Sequence, residues 1–230
     1  MNCWDRAGLR WRVVSDQTPD HYFTAEPASP AERRTLTVVL DGRSVEVETA
    51  GGIFSPGRLD LGTQVLLRTV SDPPTGDVLD LGSGWGPVAL TMAMQNPLAR
   101  VWAVDVNERS LDLTRRNASR LGLDGITACT PDDVPADVRL AQIWSNPPIR
   151  VGKEMLHSML DRWLPRLVPG GSAYLVVQRN LGADSLMGWM NDRYDGTTDE
   201  VRTPEGVPFE AVATKLASAK GFRVIEVVAG

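Results

Sequence analysis

The order of apolar and polar positions divides the chain into two parts. From Leu36 to Glu48, apolar and polar residues alternate on both sides of Asp41-Gly42, a dipeptide typical of tight hairpin turns. From about residue 59 onward, short apolar runs that suit buried strands alternate with longer segments of helical periodicity. The sequence therefore predicts an α/β fold with a mainly parallel sheet over residues 51–230, preceded by a small β extension over residues 1–50.

Glycine, proline and asparagine residues set the bounds of many predicted elements. Pro87 suits the first turn of a helix, and Asn107 and Gly122 suit the two ends of the next one. Strands are expected at 78–81, 100–105, 126–129, 140–144, 174–178 and 222–228, and helices at 61–70, 87–95, 108–121, 154–167 and 184–193. Residues 209–220 fit either a helix or the hairpin partner of the last strand, and both alternatives stay open.

The composition fits one ordinary globular domain and excludes several classes of protein. With 230 residues, 42% of them hydrophobic and 23% charged, the chain is long enough to bury a sizeable core. No run approaches the roughly 18 apolar residues of a membrane span, and charged residues stand at positions 5 and 6, where a signal peptide would be apolar. Cys3, Cys129, His21 and His157 lack disulfide or metal-ligand spacing. We expect a soluble, cytoplasmic protein with no metal and no membrane partner.

A glycine-rich loop follows the first predicted strand of the main domain. It reads Asp80-Leu-Gly82-Ser-Gly84-Trp-Gly86 and stands between a strand and a helix, where glycines let a ligand approach backbone N–H groups. Asp105, at the end of the next strand, is placed to bind ribose hydroxyls of either a dinucleotide or another nucleoside cofactor. A dinucleotide fingerprint would have its third glycine at position 87, and Pro87 stands there instead.

A second motif, Asn146-Pro147-Pro148-Ile149, lies at the end of the fourth predicted strand. The two prolines fix an extended backbone, so the Asn146 amide and the Pro147 carbonyl are expected to point outward as hydrogen-bond acceptors. A planar amino group fits such a pair of acceptors.

These two motifs resemble motifs I and IV of class I S-adenosylmethionine-dependent methyltransferases. The stretch from Gly52 to Leu67, with His21-Tyr-Phe23 upstream and Arg150-Val-Gly-Lys153 after motif IV, is similar to the small-domain methyltransferases related to RsmC, the guanine-N2 enzymes of small-subunit ribosomal RNA. The chain differs at Ile149, where motif IV usually has an aromatic residue. It also has no room for the duplicated amino-terminal domain of the longer members.

The resemblance implies a fold, a cofactor and a set of site residues. The fold would be a Rossmann-like, seven-stranded, mostly parallel sheet with a final antiparallel strand, and the cofactor would be S-adenosylmethionine. The residues implied for cofactor binding are Asp80, Gly82, Ser83, Gly84, Gly86, Asp105, Val106 and Asp132. The residues implied for catalysis are Asn146, Pro147, Pro148 and Ile149.

The expected substrate is RNA, as ribosomal RNA or a ribosomal particle. A net charge of −5 argues against a broadly basic surface but leaves room for a local cationic rim, for which we select Arg58, Arg150 and Lys153. Three alternatives stay open: methylation of a protein glutamine or small amine by the same pocket, an inactive cofactor-binding assembly module, and a dehydrogenase, which Pro87 and the unexplained Asn-Pro-Pro motif disfavour.

Overall fold

A computed structural model describes residues 26–148, 152–197 and 200–230. Its strands are β1 Arg34–Leu40, β2 Arg43–Thr49, β3 Gly76–Leu81, β4 Ala99–Val104, β5 Ile126–Cys129, β6 Leu140–Ser145, β7 Leu167–Gln178, β8 Ala211–Ala219 and β9 Phe222–Ala229. Its helices are α1 Leu61–Thr69, α2 Pro87–Gln95, α3 Glu108–Leu121, α4 Lys153–Trp163 and α5 Ala183–Arg193. None of the helices in these ranges is long and apolar enough to cross a membrane.

Seven strands form one sheet in the order β5-β4-β3-β6-β7-β9-β8. Strands β5, β4, β3, β6 and β7 pair in parallel, and β9 lies antiparallel between β7 and β8. This topology confirms the predicted Rossmann-like sheet with an antiparallel last strand. The chain builds outward on one side from β3 to β5 and then returns to start β6 beside β3, which makes the β3–β6 boundary the topological switch point.

Both faces of the central parallel strands β3 and β6 are buried, as a parallel sheet covered by helices requires. Along β3, Val78 belongs to one apolar cluster and Leu79 to the cluster on the opposite face. In β6, Ile143 and Trp144 divide between the same two clusters. This burial on both sides explains why these strands read as continuous apolar runs.

The predicted hairpin is present as β1 and β2. Asp41 and Gly42 both adopt positive φ angles, 47° and 70°, as a two-residue hairpin turn requires. Asn117, fully buried on α3, holds the hairpin to the main domain: its Oδ1 accepts from the Glu48 N–H at 2.6 Å, and its Nδ2 donates to the Glu48 and Trp85 carbonyls at 3.0 Å each. The hairpin thus packs directly behind the glycine loop.

The structure corrects the bounds of one helix and settles one open alternative. Helix α4 ends at Trp163, not at 167, and a short 3-10 turn follows. Strand β7 already begins at Leu167, and a register shift against β6 between Leu140 and Gln142 accommodates the Pro-Gly-Gly segment. A side chain on Gly171 would meet backbone carbonyl oxygens from 2.8 Å, so only glycine fits there. Residues 211–219 are the hairpin partner of β9 and not a helix.

Candidate functional site

The two motifs meet at the carboxyl edge of the sheet. Leu81, the last residue of β3, pairs with Ser145, the last residue of β6, and Ser145 Oγ donates to the Leu81 carbonyl at 2.7 Å. The glycine loop and the Asn-Pro-Pro turn therefore leave the sheet side by side at one level. A pocket lies between them, lined by the glycine loop and by Phe54, Asp60, Thr63 and Asn146.

The glycine loop is held against the end of β4. The N–H groups of Gly82 and Ser83 donate to the Val104 carbonyl at 2.8 and 3.0 Å. Gly86 has a φ of 92°, and a Cβ there would lie 3.0 Å from the Thr114 side chain, so both backbone conformation and space require glycine. A Cβ on Gly82 or Gly84 would meet no described atom within 4 Å. The space beside these two residues is open to a ligand.

Two acidic side chains accept hydrogen bonds from backbone N–H groups in this loop and in the helix that follows it. Asp80 is 1% exposed, and its carboxylate accepts from the Ala89 N–H in the first turn of α2 at 2.9 Å. Burial is the main cause that raises the pKa of Asp80 from its ordinary 3.8 to about 8; the Ala89 bond opposes this shift, and the charge of Asp105 adds to it.

Asp105 links the loop to the start of α3. Its two carboxylate oxygens accept from the Gly84 N–H and the Asn107 N–H, each at 2.9 Å. Burial raises the pKa of Asp105, and these backbone bonds oppose the shift. The side chain keeps a partly exposed edge, and each carboxylate oxygen can accept a further bond.

The Ser83 hydroxyl gives independent support for a polar ligand at this site. The residue is 2% exposed, lines the pocket, and its Oγ has no hydrogen-bond partner among the described residues. A buried hydroxyl without a partner costs about 1–3 kcal/mol, so a bound polar group would stabilise it. The open glycine backbone, the Asp105 carboxylate and this hydroxyl fit the amino-acid and ribose parts of S-adenosylmethionine.

Asn146 lines the same pocket with a fixed amide. Its Nδ2 donates to Asp60 Oδ2 at 2.9 Å and to Thr63 Oγ1 at 3.1 Å. Both amide N–H bonds are thereby engaged, which leaves Oδ1 as the acceptor of the side chain. Asp60 is the N-cap of α1, and the same oxygen accepts from the Gly62 and Thr63 N–H groups at 2.7 and 3.2 Å.

Three residues that line this pocket were not among those selected from the sequence. Asp60 and Thr63 lie 86 and 83 positions before Asn146, and Phe54, 43% exposed, lines the same pocket. One local signal existed: an aspartate directly before a predicted helix indicates an N-cap, but it does not reveal the distant partner.

The remaining predicted site residues are not part of the lining of this pocket or lie outside the described residues. Pro147 is buried and Pro148 exposed, while Ile149 and Arg150 fall in the undescribed segment 149–151. Val106 is exposed beside Asp105, and Asp132 pairs with Arg162 at 2.9 Å in the loop after β5. Arg58 and Lys153 are exposed and form no ion pair with a described residue. Their roles stay predictions, and His21 to Phe23 also lie outside the described residues.

A wider groove opens at the opposite, amino edge of the sheet, lined by Asp77, Arg100 and Trp102. Its polar groups are already engaged with each other, since Asp77 accepts from both the Arg100 guanidinium and the Trp102 indole. It has no glycine loop, and its best-placed carboxylate is already engaged, so we place the site at the carboxyl edge. Over the described ranges, no cluster of His, Cys, Asp and Glu could hold a metal ion.

The fold and the pocket define a class I methyltransferase domain. The sequence profile of the methyltransferase small domain matches residues 44–202, more than half of the chain, so the chain belongs to that family. Its cofactor is S-adenosylmethionine.

Known proteins similar to the chain include both short and long ones. It is 28% identical over 180 residues to the uncharacterised protein YbxB of Bacillus subtilis, covering 76% of this chain and 90% of that one. It is 33% identical over 173 residues to the ribosomal RNA small subunit methyltransferase C of Pseudomonas aeruginosa, covering 73% of this chain and 50% of the relative. The chain therefore spans about half the length of that longer relative.

A solved structure shares the fold. The Thermus thermophilus 16S rRNA N2 G1207 methyltransferase RsmC, in complex with AdoMet and guanosine, superposes with a TM-score of 0.70 at 20% identity. The match covers 88% of this chain and 52% of that chain. At this identity, the likeness extends to the fold alone.

Proposed function

We propose that this chain is an N-methyltransferase that methylates the exocyclic amine of a guanine in small-subunit ribosomal RNA. The observation that carries the proposal is the orientation of Asn146, whose two amide N–H bonds are engaged by Asp60 and Thr63 so that its oxygen remains for the substrate. An amino group needs an acceptor in this position, and an amide oxygen supplies one without a charge.

The cofactor residues follow from the loop geometry. Asp105 would bind the ribose hydroxyls, the backbone of Gly82 to Gly86 and the Ser83 hydroxyl would hold the amino-acid part, Val106 would lie beside the ribose, and Asp132 would approach the adenine edge. Asp80 acts indirectly, because its carboxyl fixes the loop to the first turn of α2. When bound, S-adenosylmethionine supplies an electrophilic methyl group.

Asn146 and Pro147 would orient the target amine. An exocyclic amine is a poor nucleophile because its lone pair is delocalised into the ring. If Asn146 Oδ1 and the Pro147 carbonyl each accept one N–H, the nitrogen is favoured in a pyramidal form with its lone pair free to attack. Alignment of this kind supplies at most about 7–11 kcal/mol. Asn146 does not remove the proton, since an amide is no base near neutral pH, and the proton passes to water.

Phe54 would supply the apolar contact to the base that an aromatic residue at position 149 would otherwise give. Phe54 is 43% exposed and lines the same pocket as Asn146. Stacking of a nucleobase on an aromatic side chain contributes about 1–3 kcal/mol. Pro148 and Ile149, which follow Asn146 and Pro147 in the motif, would also contact the base.

The substrate would approach as an unpaired or flipped nucleotide, since a base inside a duplex cannot reach the pocket. Arg58, Arg150 and Lys153 would contact the phosphates around the entrance, where Arg58 and Lys153 are exposed and form no ion pair with a described residue. An enzyme acting on ribosomal RNA works in the cytoplasm, where the subunits are assembled.

Labelled methyl transfer tests this proposal. Purified protein and methyl-labelled S-adenosylmethionine are incubated in parallel with total ribosomal RNA, isolated small subunits and a protein extract. We expect label in the 16S fraction as N2-methylguanine, and about a hundred-fold slower labelling with Asn146→Ala. Label in protein glutamine or in a small amine would replace RNA as the substrate class. No transfer to any fraction, together with intact cofactor binding, would instead indicate an assembly module.

A further inference from the structure

One carboxylate oxygen joins the start of α1 to the Asn-Pro-Pro turn. Asp60 Oδ2 accepts from the backbone N–H groups of Gly62 and Thr63 and from the side-chain amide of Asn146, at 2.7, 3.2 and 2.9 Å. Thr63 Oγ1 accepts the other Asn146 N–H at 3.1 Å, and Thr63 is 4% exposed. Asp60 and Thr63 thus accept hydrogen bonds from both N–H groups of an amide that lies on a different structural element.

This arrangement allows only one orientation of the Asn146 amide. A carboxylate has no proton to donate, so it must face the NH2 group and not the oxygen. Rotation of the amide by 180° would bring two acceptor oxygens together. The orientation is therefore set by the charge state of a neighbour and not by the turn itself.

We infer that Asp60 is a positioning residue, which holds the Asn146 amide with its oxygen toward the substrate amine. The inference rests on the proposed function, because it explains how the acceptor of that reaction is kept ready. Since the bond to Asn146 is charge-assisted, it also polarises the amide and makes Oδ1 a stronger acceptor.

Asp60 has a second, structural role as the N-cap of α1, and the two roles can be separated. In Asp60→Ser, a hydroxyl can still cap the helix, because serine is as good an N-cap as aspartate. Its shorter side chain does not reach Asn146. Asp60→Asn keeps both the cap and an oxygen of the right reach but removes the charge.

A reciprocal pair of substitutions provides the sharpest test. Asn146→Asp places a carboxylate against Asp60, where like charges raise the pKa of one of the two carboxyls. We expect this enzyme to be weak at pH 8 and to recover toward acidic pH. In Asp60→Asn/Asn146→Asp, only one of the two carboxylates remains, so the repulsion between like charges and the pH dependence that it causes should disappear.

The experiment measures turnover, KM and cofactor affinity for these four variants with whichever acceptor receives label from the wild-type protein. Asp60→Ser should lower kcat roughly ten-fold or more with cofactor affinity within about two-fold of wild type, and Asp60→Asn should lower it less. The double variant should exceed Asn146→Asp at pH 8. Wild-type kcat in Asp60→Ser, or no recovery in the double variant, would overturn the inference.

A readout without turnover separates this inference from the proposed function. In a 15N spectrum of the protein, the two side-chain amide protons of Asn146 should be slow to exchange and displaced from the free-amide position. Asp60→Ser should return them toward that position, while thermal unfolding shows that α1 is still capped. If wild type methylates no RNA but this change is seen, the proposed function fails and the inference stands. Unchanged amide signals would refute the inference whatever the substrate.

Discussion

Asp105 lies close enough to Asp80 for its charge to raise the pKa of that buried carboxyl. Burial is the larger cause, and together they bring the pKa of Asp80 to about 8. Asp105 accepts from the Gly84 N–H within the glycine loop, and Asp80 accepts from the Ala89 N–H in the helix that follows the loop. The loop is therefore supported by a carboxyl pair that resists carrying two charges at neutral pH.

The pH dependence of stability tests this pair. The unfolded chain releases the Asp80 proton near its ordinary pKa of 3.8, while the folded protein keeps it to about 8, so the folded state binds more protons between these values. The free energy of unfolding should therefore fall as pH rises through this window. We expect the melting temperature without cofactor to decrease from pH 5 to pH 8. Asp80→Asn, whose oxygen can still accept from Ala89, should flatten the slope; equal slopes would contradict the assignment.

Cofactor affinity tests the role of Asp105. Each lost charge-assisted bond costs roughly 1.5–3 kcal/mol, so Asp105→Ala should weaken S-adenosylmethionine binding about ten-fold or more by calorimetry. Asp112→Ala, which removes a partly buried carboxylate paired with Arg116 on α3, is the matched control and should bind as wild type. A titration with NAD should show no binding. A folded Asp105→Ala protein with unchanged affinity would refute the ribose role.

Removal of the Asn146 acceptor should affect turnover and not cofactor binding. By analogy with loss of one preorganised hydrogen-bonding group, Asn146→Ala should reduce kcat about a hundred-fold, equivalent to roughly 3 kcal/mol. Calorimetry on the same protein should give an S-adenosylmethionine affinity near that of wild type. Full turnover in a folded Asn146→Ala enzyme would mean that the motif only ends the strand.

Phe54 should influence substrate binding more than chemistry. Phe54→Ala should raise KM for RNA about five- to a hundred-fold, as expected for loss of one base–aromatic contact, while Phe54→Trp keeps a stacking surface and should stay near wild type. Leu98→Ala is the control, because it removes an apolar side chain, 73% exposed, from the turn that follows α2. If the alanine and tryptophan variants behave alike, Phe54 does not contact the base.

Salt dependence tests the cationic rim. Because each neutralised phosphate releases counterions, RNA affinity should fall linearly with salt on a double-logarithmic plot. Alanine at Arg58, Arg150 or Lys153 should each reduce the slope by roughly one contact. Arg43→Ala is the matched control. Arg43 is exposed at the start of β2, and its removal should leave the slope unchanged. A plot without slope would exclude RNA as the substrate class.

The local parts of the site could be predicted because their signals are contiguous in sequence. Gly82 to Gly86 stands between a strand and a helix, and Asp41-Gly42 specifies its own turn. Asp105 could be selected as a candidate because it directly follows a strand with a clear apolar run. The division into an extension over 1–50 and a domain over 51–230 stays a prediction; the hairpin's Val47 packs in one cluster with Trp85 and Leu113.

The missed parts depend on contacts that no local pattern contains. Asp60 meets Asn146 only because α1 packs beside β7 and brings its N-terminus to the end of β6. The predicted strand at 174–178 begins seven residues after the observed start of β7, because Pro169-Gly170-Gly171 is typical of a chain break. In the structure, a register shift beside Gln142 lets this segment remain part of the strand. In both cases the neighbouring strand or helix decided the outcome.

The pairing of Leu81 with Ser145 constrains how this enzyme can change over evolution or in the laboratory. The donor half and the acceptor half of the site begin at paired residues of two neighbouring strands, so the lengths of these strands set the distance between them. One residue inserted into β6 would move Asn146 by about 3.3 Å and turn its side chain to the other face. Loops around the entrance can vary in length and so tune what is methylated, but the two strands must keep their residue count for any methylation to occur.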